Sequence, residues 1–497
     1  MKFYITTPIY YVNAQPHIGH SYTNIAGDCL ARFYRLTEKE VFFLTGTDEH
    51  GDKILQSAQK ENIKPQDYVD KMSQKYKDLW TELGISYDKF IRTTEEQHQQ
   101  TVKSIFEKLL KKDDIYPGEY KGYYCIYCEN FIPKTKAGDN IVCPDCLRPV
   151  QIVSEKSYFF RLSKYQTKLK EYLKTHKDFI QPSFRYDEVY NFIEQGLEDL
   201  SVTRASTLWG ITSPTPEKFP IYVWFDALIN YLTASDYLID NNKFNQLWPP
   251  SIQLIGKDIL RFHDIIWPAM LLSLDVELPQ KIFAHGWWIL GKEKISKSRG
   301  NIINPLDVAK KWTVDGFRYF LLREVPFGLD GEYSEEKITK RYNSDLANDF
   351  GNLVNRTLNL MEKKHNNALP EKFSCENIYN LAEEIKKSFE EKMAQLAFSE
   401  SLEQIWKLVS YLNKYLDTEK PWNLQGETEE KILYQCMEGI RILSIFLFPF
   451  IPFTSKKIWD ILNLDYSEKT INFSEIKKPF QPGHKIKTRT ILFERIK

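Results

Sequence analysis

Two histidines flank a glycine near the start of the chain, in the sequence Pro16-His17-Ile18-Gly19-His20. A short apolar run at residues 3–7 precedes this turn, and residues 21–26 have a helical pattern. The N–H groups and the dipole of a helix N-terminus favour a phosphate group, and imidazoles add hydrogen-bond donors there. The turn therefore has the composition of a nucleotide site.

A second feature, which is rich in lysine, lies far downstream, in the loop from Gly291 to Asn301, which reads Lys294-Ile295-Ser296-Lys297-Ser298 at its centre. It follows an aromatic-rich run at 281–290 that is typical of a buried strand. Lysines spaced by small hydroxyl residues suit a triphosphate on which charge builds up. The alternative is a solvated basic turn, and pairing with the histidine turn at another strand-to-loop junction argues against it.

Alternating strand and helix patterns over the first 113 residues predict a parallel sheet that binds ligands at the carboxyl ends of its strands. The predicted elements are a strand at 2–7, a helix from His20 to about Tyr34, a strand at 41–44, and helices at 52–60 and 66–83. From 115 to about 214, short tyrosine-rich strands and amphipathic helices indicate an insertion. The sheet is predicted to resume at 222–226, 252–255 and 282–290, so that both motif-bearing halves meet at one crevice.

Four of the seven cysteines form two Cys-x2-Cys pairs, Cys125/Cys128 and Cys143/Cys146, inside this insertion. An odd total argues against a disulfide framework. Four thiolates can surround one Zn²⁺ at about 2.3 Å and leave no position for a substrate water, which predicts a structural zinc site. The alternative is four thiols without metal. The isolated Cys29, Cys375 and Cys436 are expected to be buried packing residues.

Length and charge limit the possible classes of protein. A chain of 497 residues is expected to form two to four structural units. Its formal net charge of +0 means that any nucleic-acid contact must come from local basic patches. The sequence has no run of apolar residues long enough to span a membrane and no recognisable leader, so we expect a soluble cytoplasmic protein.

Helical patterns dominate from about residue 343, at 383–396, 402–416 and 432–448, and predict a bundle. The segment from Lys477 to Lys497 is basic. Most such tails are merely solvated, and we assign it no role in reading bases.

Together, the histidine turn and the lysine loop resemble the two signature motifs of class I aminoacyl-tRNA synthetases, with Ile295 in place of the usual methionine. Four further segments resemble those of the methionyl-tRNA synthetase family, in the usual order. They are residues 7–13, 45–51, 223–231 and 256–263. The resemblance runs from about residue 1 to the C-terminus.

The resemblance implies an α/β fold: a Rossmann nucleotide-binding domain split by a zinc-knuckle insertion and followed by an all-α anticodon-binding bundle. It implies five segments, which are a first Rossmann half at 1–114, the connective insertion at 115–214, a second Rossmann half at 215–290, the signature loop with a stem-contact region at 291–342, and the helical domain with its basic tail at 343–497. The chain ends before the extra C-terminal domain of some relatives, which favours a monomer.

The implied activity is that of a methionine–tRNA ligase, which serves translation initiation and elongation. L-Methionine and ATP would give methionyl-adenylate and pyrophosphate, and methionine would then pass to the 3′ end of tRNA(Met). The implied catalytic residues are His17, His20, Lys294 and Lys297, with Mg²⁺ bridging the phosphates. Further ATP contacts are expected from Gly19, Gly256, Lys257, Asp258, Ser296 and Ser298.

Methionine offers few polar groups, so it must be selected by shape, by sulfur–aromatic contacts and through its amino group. Matching the family segments, the methionine site would comprise Ile9, Tyr11, Asp48, Trp224, Ala227, Leu228, Tyr231, Ile259 and His263, with Asp48 holding the ammonium. Leu228 stands where some relatives carry proline. Taken singly, each of these aromatics is as easily a core residue.

Anticodon reading would fall to Asn352, Arg356 and Trp422, through stacking and hydrogen bonds to base edges. Asn352 and Arg356 are four residues apart and share one helix face. In the alternative, Arg356 forms an ion pair within the bundle and Trp422 is core.

Rival functions remain. Class I synthetases for isoleucine, valine or leucine carry a large editing domain for which this chain has no room, and a cysteine enzyme would need zinc in its active site. A small nucleotidyltransferase would lack the lysine loop and the bundle. A catalytically silent tRNA-binding scaffold is disfavoured by the intact His17, His20, Asp48, Lys294 and Lys297.

Overall fold

The structure of the chain is a computed structural model that describes residues 2–126, 142–143, 147–291 and 303–497, and the backbone of 130–132 and 293–294. The strands are β1 Phe3–Tyr11, β2 Val41–Asp48, β3 Lys89–Arg92, β4 Ile115–Cys125, β5 Asn130–Ile132, β6 Gln151–Phe160, β7 Ile180–Gln181, β8 Leu200–Ser201, β9 Ile252–Gly256, β10 Ile282–His285, β11 Trp288–Leu290, β12 Glu293–Lys294 and β13 Gly331–Glu332.

The α-helices are α1 Ile18–Leu36, α2 Asp52–Lys60, α3 Pro65–Glu82, α4 Glu96–Lys111, α5 Gln166–Thr175, α6 Ser183–Glu194, α7 Val223–Leu228, α8 Asn230–Ala234, α9 Asn241–Leu247, α10 Trp267–Leu274, α11 Pro305–Trp312, α12 Val314–Arg323, α13 Glu335–Arg341, α14 Asn352–His365, α15 Glu376–Ala394, α16 Phe398–Glu419, α17 Glu427–Leu447 and α18 Pro452–Ile461. Two π-helical segments, Phe262–Ile266 and Tyr342–Gly351, precede α10 and α14. In the described part of the chain, no helix combines the length and the apolar character needed to cross a membrane.

The first compact unit comprises Met1–Pro16, Phe42–Leu79 and Tyr87–His285 and contains a six-stranded sheet in the order β3-β2-β1-β9-β10-β7. The pairs β2/β3, β1/β9, β9/β10 and β10/β7 run parallel, as the sequence predicted. The order reverses between β1 and β9, which is where doubly wound sheets bind their ligands. Both faces of these strands are covered, so β1 is rich in apolar and aromatic residues along its length.

A second sheet in this unit, in the order β5-β4-β6-β8, is antiparallel and occupies the predicted insertion. Its main pair, β4 and β6, runs in continuous register from Ile115 opposite Phe160 to Tyr124 opposite Gln151. Beyond it, the Arg204 guanidinium lies 3.7 Å from the centre of the Tyr124 ring and pairs with Glu155 at 2.8 Å. Arg204 therefore fixes the end of this sheet next to Cys125.

Two predicted strands differ from the structure. The segment 222–226, expected to be a strand, is the helix α7 together with its N-cap residue Tyr222. Nearly all of its residues are buried, and a short buried run has no periodicity that separates helix from strand. The single strand expected at 282–290 breaks into β10 and β11, because Gly286 approaches the Leu329 carbonyl so closely that a Cβ there would lie 2.3 Å away. After this break, β11 pairs with β12 and β13 instead.

The second compact unit comprises His17–Val41, Trp80–Ser86 and Gly286–Lys497. It contains α1, the small sheet β12-β11-β13 and the helices from α11 onward, which include the predicted C-terminal bundle. Phe389 lies at the centre of an aromatic cluster with Phe33, Phe446 and Phe473, whose ring centroids are 5.4 to 6.2 Å from its own. As expected, most basic side chains of the C-terminal tail are exposed, but the tail is not solvated along its whole length, because Phe480, Ile486 and Phe493 are buried.

Candidate active site

The histidine turn forms a reciprocal cap at the N-terminus of α1. The His17 Nδ1 atom accepts a hydrogen bond from the Gly19 N–H at 3.1 Å, and the His20 Nδ1 atom accepts one from the His17 N–H at 3.2 Å. The two rings stack with centroids 3.8 Å apart. A Cβ on Gly19 would lie 3.0 Å from the His17 ring, so a larger residue at position 19 would push that ring from its place. Because each Nδ1 is an acceptor, the proton of each neutral ring lies on Nε2.

The segment that follows the lysine loop meets this turn. The Ile18 N–H donates to the Ile303 carbonyl at 3.2 Å, which occupies one of the N–H groups that a helix start leaves without an intrahelical partner. Upstream of the loop, β11 and β12 form a hairpin in which Ile289 pairs with Lys294. The Lys294 side chain, Ser296, Lys297 and Ser298 lie outside the described residues.

On the sheet of the first unit, three predicted residues lie where strands end. Tyr11 is the last residue of β1, Asp48 is the last of β2, and Gly256 is the last of β9. The Val12 N–H donates to the Asp48 carbonyl at 3.2 Å, which ties the first two strand ends together. Asp48 is buried. The predicted contacts to ammonium and adenosine thus share the carboxyl edge of one parallel sheet, on either side of the point where its strand order reverses.

Aromatic side chains build a layered cluster around α7 and the π-helical segment. Trp224 stacks on Phe262 with ring centroids 3.8 Å apart and planes at 8°. The Tyr231 hydroxyl lies 2.9 Å from His263 Nε2, and His263 Nδ1 lies 3.1 Å from the Ile259 carbonyl. A carbonyl can only accept, so Nδ1 carries the proton and Nε2 accepts from Tyr231. Burial lowers the pKa of His263 to about 4, which keeps the ring neutral at pH 7.

The remaining predicted pocket residues lie in the same unit. Ile9, Leu228, Tyr231 and Ile259 belong to one apolar cluster, and Ala227 is buried between Asp226 and Leu228. At the predicted adenosine contact, a Cβ on Gly256 would lie 2.6 Å from the Asp258 carboxylate. Glycine there lets Asp258 fold back over the end of β9.

Of the four paired cysteines, the structure describes Cys125 and Cys143, which are both fully buried and share one small cluster with Tyr123 and Val150. Cys128 and Cys146 lie outside the described residues. Among the residues that are described, no group of three or more His, Cys, Asp or Glu side chains could hold a metal ion. The convergence of one cysteine from each pair fits a shared site. Cys29, Cys375 and Cys436 are buried, as expected.

The three predicted anticodon residues converge on one surface of the bundle. Arg356 lies 5.3 Å from the centre of the Trp422 ring and pairs with Asp417 at 2.7 Å. Trp422 is 41% exposed, so the alternative that it is a core residue is wrong, whereas the ion pair expected for Arg356 is present. Asn352 is the exposed first residue of α14, one turn before Arg356.

Known proteins share the sequence and the fold of this chain. Residues 3–151 and 148–358 match the family model described as tRNA synthetases class I (M), and residues 376–491 match the anticodon-binding domain of tRNA ligases. The chain is 48% identical over 507 residues to the methionine–tRNA ligase of Caldanaerobacter subterraneus, covering 99% of this chain and 79% of that protein. The chain belongs to the methionine–tRNA ligase family.

Other members of this family also match over most or all of the chain. The Bacillus subtilis methionine–tRNA ligase is 43% identical over 93% of this chain and 73% of its own length. A Mycobacterium tuberculosis methionyl-tRNA synthetase in complex with methionyl-adenylate superposes with a TM-score of 0.94 at 38% identity and covers 100% of both chains. The apo form of that enzyme gives 0.87 at 35% identity, over 100% of this chain and 99% of the other.

Sequence reasoning missed four residues beside the predicted methionine site, of which Asp226, His50 and His98 are buried and Phe262 is partly buried. Asp226, on α7, lies between His50 and His98, and Phe262 provides the stacking surface for Trp224. His50 and Asp226 stood inside segments that resemble the family, but neither was assigned a role. The only signal in the sequence was that histidine is scarce, with 9 in the chain.

Proposed function

We propose that this member of the family is a methionine–tRNA ligase that forms methionyl-adenylate from L-methionine and ATP and then charges tRNA(Met). The observation that carries the nucleotide half of this proposal is the reciprocal cap of His17 and His20. The related enzyme that was solved with methionyl-adenylate supports the identity of the intermediate.

In the first step, a carboxylate oxygen of methionine attacks the α-phosphorus of ATP. A new O–P bond forms, the bond from the α-phosphorus to the bridging oxygen breaks, and pyrophosphate leaves with that electron pair. The carboxylate is already ionised at pH 7, so the step needs no general base. Its rate must come from positioning and from stabilisation of the negative charge that develops on the phosphates.

The two signature histidines are suited to that stabilisation. Their Nδ1 atoms accept from the backbone of the turn, so the proton of each ring lies on Nε2, and we assign these N–H groups to phosphate oxygens. The stacked rings hold these donors in one place before the charge develops. Lys294 and Lys297 would neutralise the β- and γ-phosphates, and Ser296 and Ser298 would add hydrogen bonds. Mg²⁺ bound with ATP neutralises phosphate charge.

For methionine, we assign the ammonium to Asp48 and the side chain to the cluster around Trp224 and Tyr231. The neutral His263 supports this assignment, because it orients the Tyr231 hydroxyl without placing a charge beside a thioether. Ile9, Tyr11, Ala227, Leu228 and Ile259 supply the apolar lining. Gly256, Lys257 and Asp258 would contact the adenosine at the end of β9.

Zn²⁺ would be held by Cys125, Cys128, Cys143 and Cys146. The burial of Cys125 and Cys143 in one cluster supports this, since thiolates in a closed tetrahedral site are shielded from water. A zinc ion held in this way would stabilise the fold of the insertion and would take no part in the chemistry. Asn352, Arg356 and Trp422 would read the anticodon. The five segment boundaries, the monomeric state and the cytoplasmic location stay predictions.

The decisive test is amino-acid-dependent ATP–pyrophosphate exchange with Mg²⁺, run in parallel with all twenty amino acids. We expect exchange with methionine alone. Exchange with another amino acid would overturn the pocket assignment, and no exchange from folded protein would favour the silent tRNA-binding scaffold.

A matched pair of variants tests the histidine turn. His17→Asn keeps a side-chain acceptor of the kind that caps helices well, but it removes the Nε2 donor. We expect kcat for exchange to fall by about 10²–10³-fold with unchanged stability. The exposed His176 provides the control, since His176→Asn should leave both quantities unchanged. Exchange in His17→Asn at the wild-type rate would remove His17 from the phosphate site.

A further inference from the structure

A carboxylate with a histidine on each of its oxygens lies beside the proposed methionine site. His50 Nδ1 is 2.7 Å from one oxygen of Asp226, and His98 Nε2 is 2.7 Å from the other. All three side chains are buried, with 5% of His50 exposed and none of His98 or Asp226. We refer to His50, Asp226 and His98 as the histidine clamp.

The clamp joins two segments that have different roles in methionine binding. His50 follows Asp48, the proposed ammonium site, by two residues at the end of β2. Asp226 lies on α7, between the pocket residues Trp224 and Ala227. One buried carboxylate therefore connects the ammonium site to the side-chain pocket.

Each histidine ring has a second contact in addition to Asp226. His98 Nδ1 lies 3.0 Å from the Thr233 hydroxyl on α8. The Trp209 ring lies 5.7 Å from the His50 ring, and its Nε1–H donates to the Glu49 carbonyl at 2.6 Å. Trp209 also accepts a hydrogen bond from the Gly51 N–H at 2.9 Å. The backbone on both sides of His50 is therefore held by Trp209.

A buried charge of this kind resists displacement. If α7 moved away from the end of β2, the carboxylate would lose a short hydrogen bond without gaining water, and leaving a buried polar group unsatisfied is costly. The clamp is not needed for proton transfer in adenylate formation, because the attacking carboxylate is already ionised. The geometry of the clamp is suited to fixing the distance between α7 and the end of β2.

We propose that the histidine clamp sets the distance between the ammonium site at Asp48 and the thioether pocket on α7, and so selects amino acids by the length of their side chains. The inference rests on the proposed function and deepens it. A thioether has no strong hydrogen-bond donor or acceptor that the pocket can recognise. The spacing of the two subsites must therefore determine which side-chain length fits. His50, Asp226 and His98 are positioning residues, since they act through Asp48 and α7.

Two substitutions at one position separate this role from a general structural one. Asparagine can place its side-chain amide close to where histidine has Nδ1, so His50→Asn retains a donor for Asp226, whereas His50→Leu removes it. The matched control is His176→Leu, at an exposed histidine of the same compact unit. Asp226→Asn, which removes the charge at nearly constant volume, is the third variant.

The assay is ATP–pyrophosphate exchange with methionine and with ethionine, which is one methylene longer. For His50→Leu we expect the KM for methionine to rise about tenfold and the KM for ATP to stay within about twofold. The preference in kcat/KM for methionine over ethionine should fall about fivefold, because a pocket distinguishes one methylene by roughly 10–200-fold when its length is fixed. His50→Asn should restore most of the preference, and Asp226→Asn should reduce it.

Three outcomes would overturn the proposal. One is an equal loss for methionine and ethionine in His50→Leu, which would show that the clamp only stabilises the fold. Another is a parallel rise in both KM values, and the third is a loss in His50→Asn as large as in His50→Leu. In each of these the wild-type chain still activates methionine, so the proposed function stands. Absence of methionine-dependent exchange in the wild type would overturn both.

Discussion

Replacing Arg318 by methionine should lower the free energy of unfolding of the second compact unit by about 3–5 kcal/mol. Arg318 is fully buried on α12, and its Nη2 lies 2.6 Å from the Asp28 carboxylate on α1. The guanidinium also donates to the carbonyls of Leu83, Pro449 and Phe450 at 3.0 to 3.2 Å. One side chain thus joins the helix of the histidine turn to the bundle.

The expected magnitude follows from what the substitution leaves behind. Asp28 retains the Arg32 Nε at 2.9 Å and the N–H and hydroxyl of Ser86, so its charge is only partly uncompensated. The three carbonyls lose a charged donor in a site that water does not reach, and each unsatisfied polar group costs about 1–3 kcal/mol. Methionine fills much of the volume, which limits the cavity cost. For a unit of this size the loss corresponds to a fall in Tm of roughly 10 °C.

Urea unfolding measures the loss in free energy of unfolding, and hydrogen exchange of residues 18–36 shows whether α1 is the part that is destabilised. The control is Arg323→Met on the same helix, because the partly exposed Arg323 pairs with the half-exposed Glu403 at 3.0 Å. Such a surface pair should contribute no more than about 1 kcal/mol. If Arg318→Met costs no more than this control, the buried network is not what holds α1 to the bundle.

The same network predicts a pH dependence. Although burial raises the pKa of Asp28, the guanidinium groups of Arg32 and Arg318 outweigh it and hold that pKa below its usual value. A carboxyl whose pKa is depressed on folding contributes stability above its unfolded pKa, and this contribution is lost as the pH falls toward the folded value. The wild-type chain should therefore lose more stability than Arg318→Met between about pH 4 and pH 2.

Three further outcomes are expected. Asp264 is buried and neither carboxylate oxygen has a hydrogen-bond partner among the described residues, so burial, aided by Glu188, raises its pKa well above the usual value. Because the folded state then binds the extra proton, Asp264→Asn should stabilise the chain at pH 7 and lose that advantage near pH 4, and a thermal midpoint that falls in this variant at pH 7 would contradict it. Trp422→Ala should raise the KM for tRNA about tenfold and leave methionine-dependent exchange unchanged, since a stacked base contributes about 1–3 kcal/mol and the ring is exposed; a parallel loss of exchange would count against the anticodon role. Cys125→Ser should abolish zinc binding measured by elemental analysis, whereas Cys375→Ala should not, and retained zinc in the first variant would exclude Cys125 as a ligand.

The sequence predicted those parts of the fold that depend on local pattern. β1 and β2 begin within a residue of their predicted starts, and α2 matches its predicted bounds, because their periodicity and flanking residues are local properties. The parallel pairing of the sheet was predicted from the alternation of strands and helices, whereas the strand order was not. The bundle helices were also found, although α15 begins seven residues earlier than expected. Element boundaries are set by caps and by packing, which the pattern alone does not contain.

The same distinction between local pattern and tertiary packing applies to the candidate site. The histidine turn was visible because its two imidazoles are three residues apart and cap the same helix, so sequence spacing reported a real contact. The segment at 222–226 was misassigned because aromatic and β-branched residues favour a strand, whereas tertiary burial of most of the segment overrides that preference.

The histidine clamp shows why the rest of the site stayed hidden. His50 and His98 reach the same carboxylate from 176 and 128 residues away, and no property of either local segment indicates that partner. A scarce histidine in an otherwise apolar surrounding is a reason to search for a buried acceptor, because a buried imidazole must satisfy two nitrogens. The need to satisfy both nitrogens shows which histidines require a partner. The positions of the sheet and α4 determine which partner lies within reach. Length selection at the methionine site is for this reason a property of the assembled fold rather than of either signature motif.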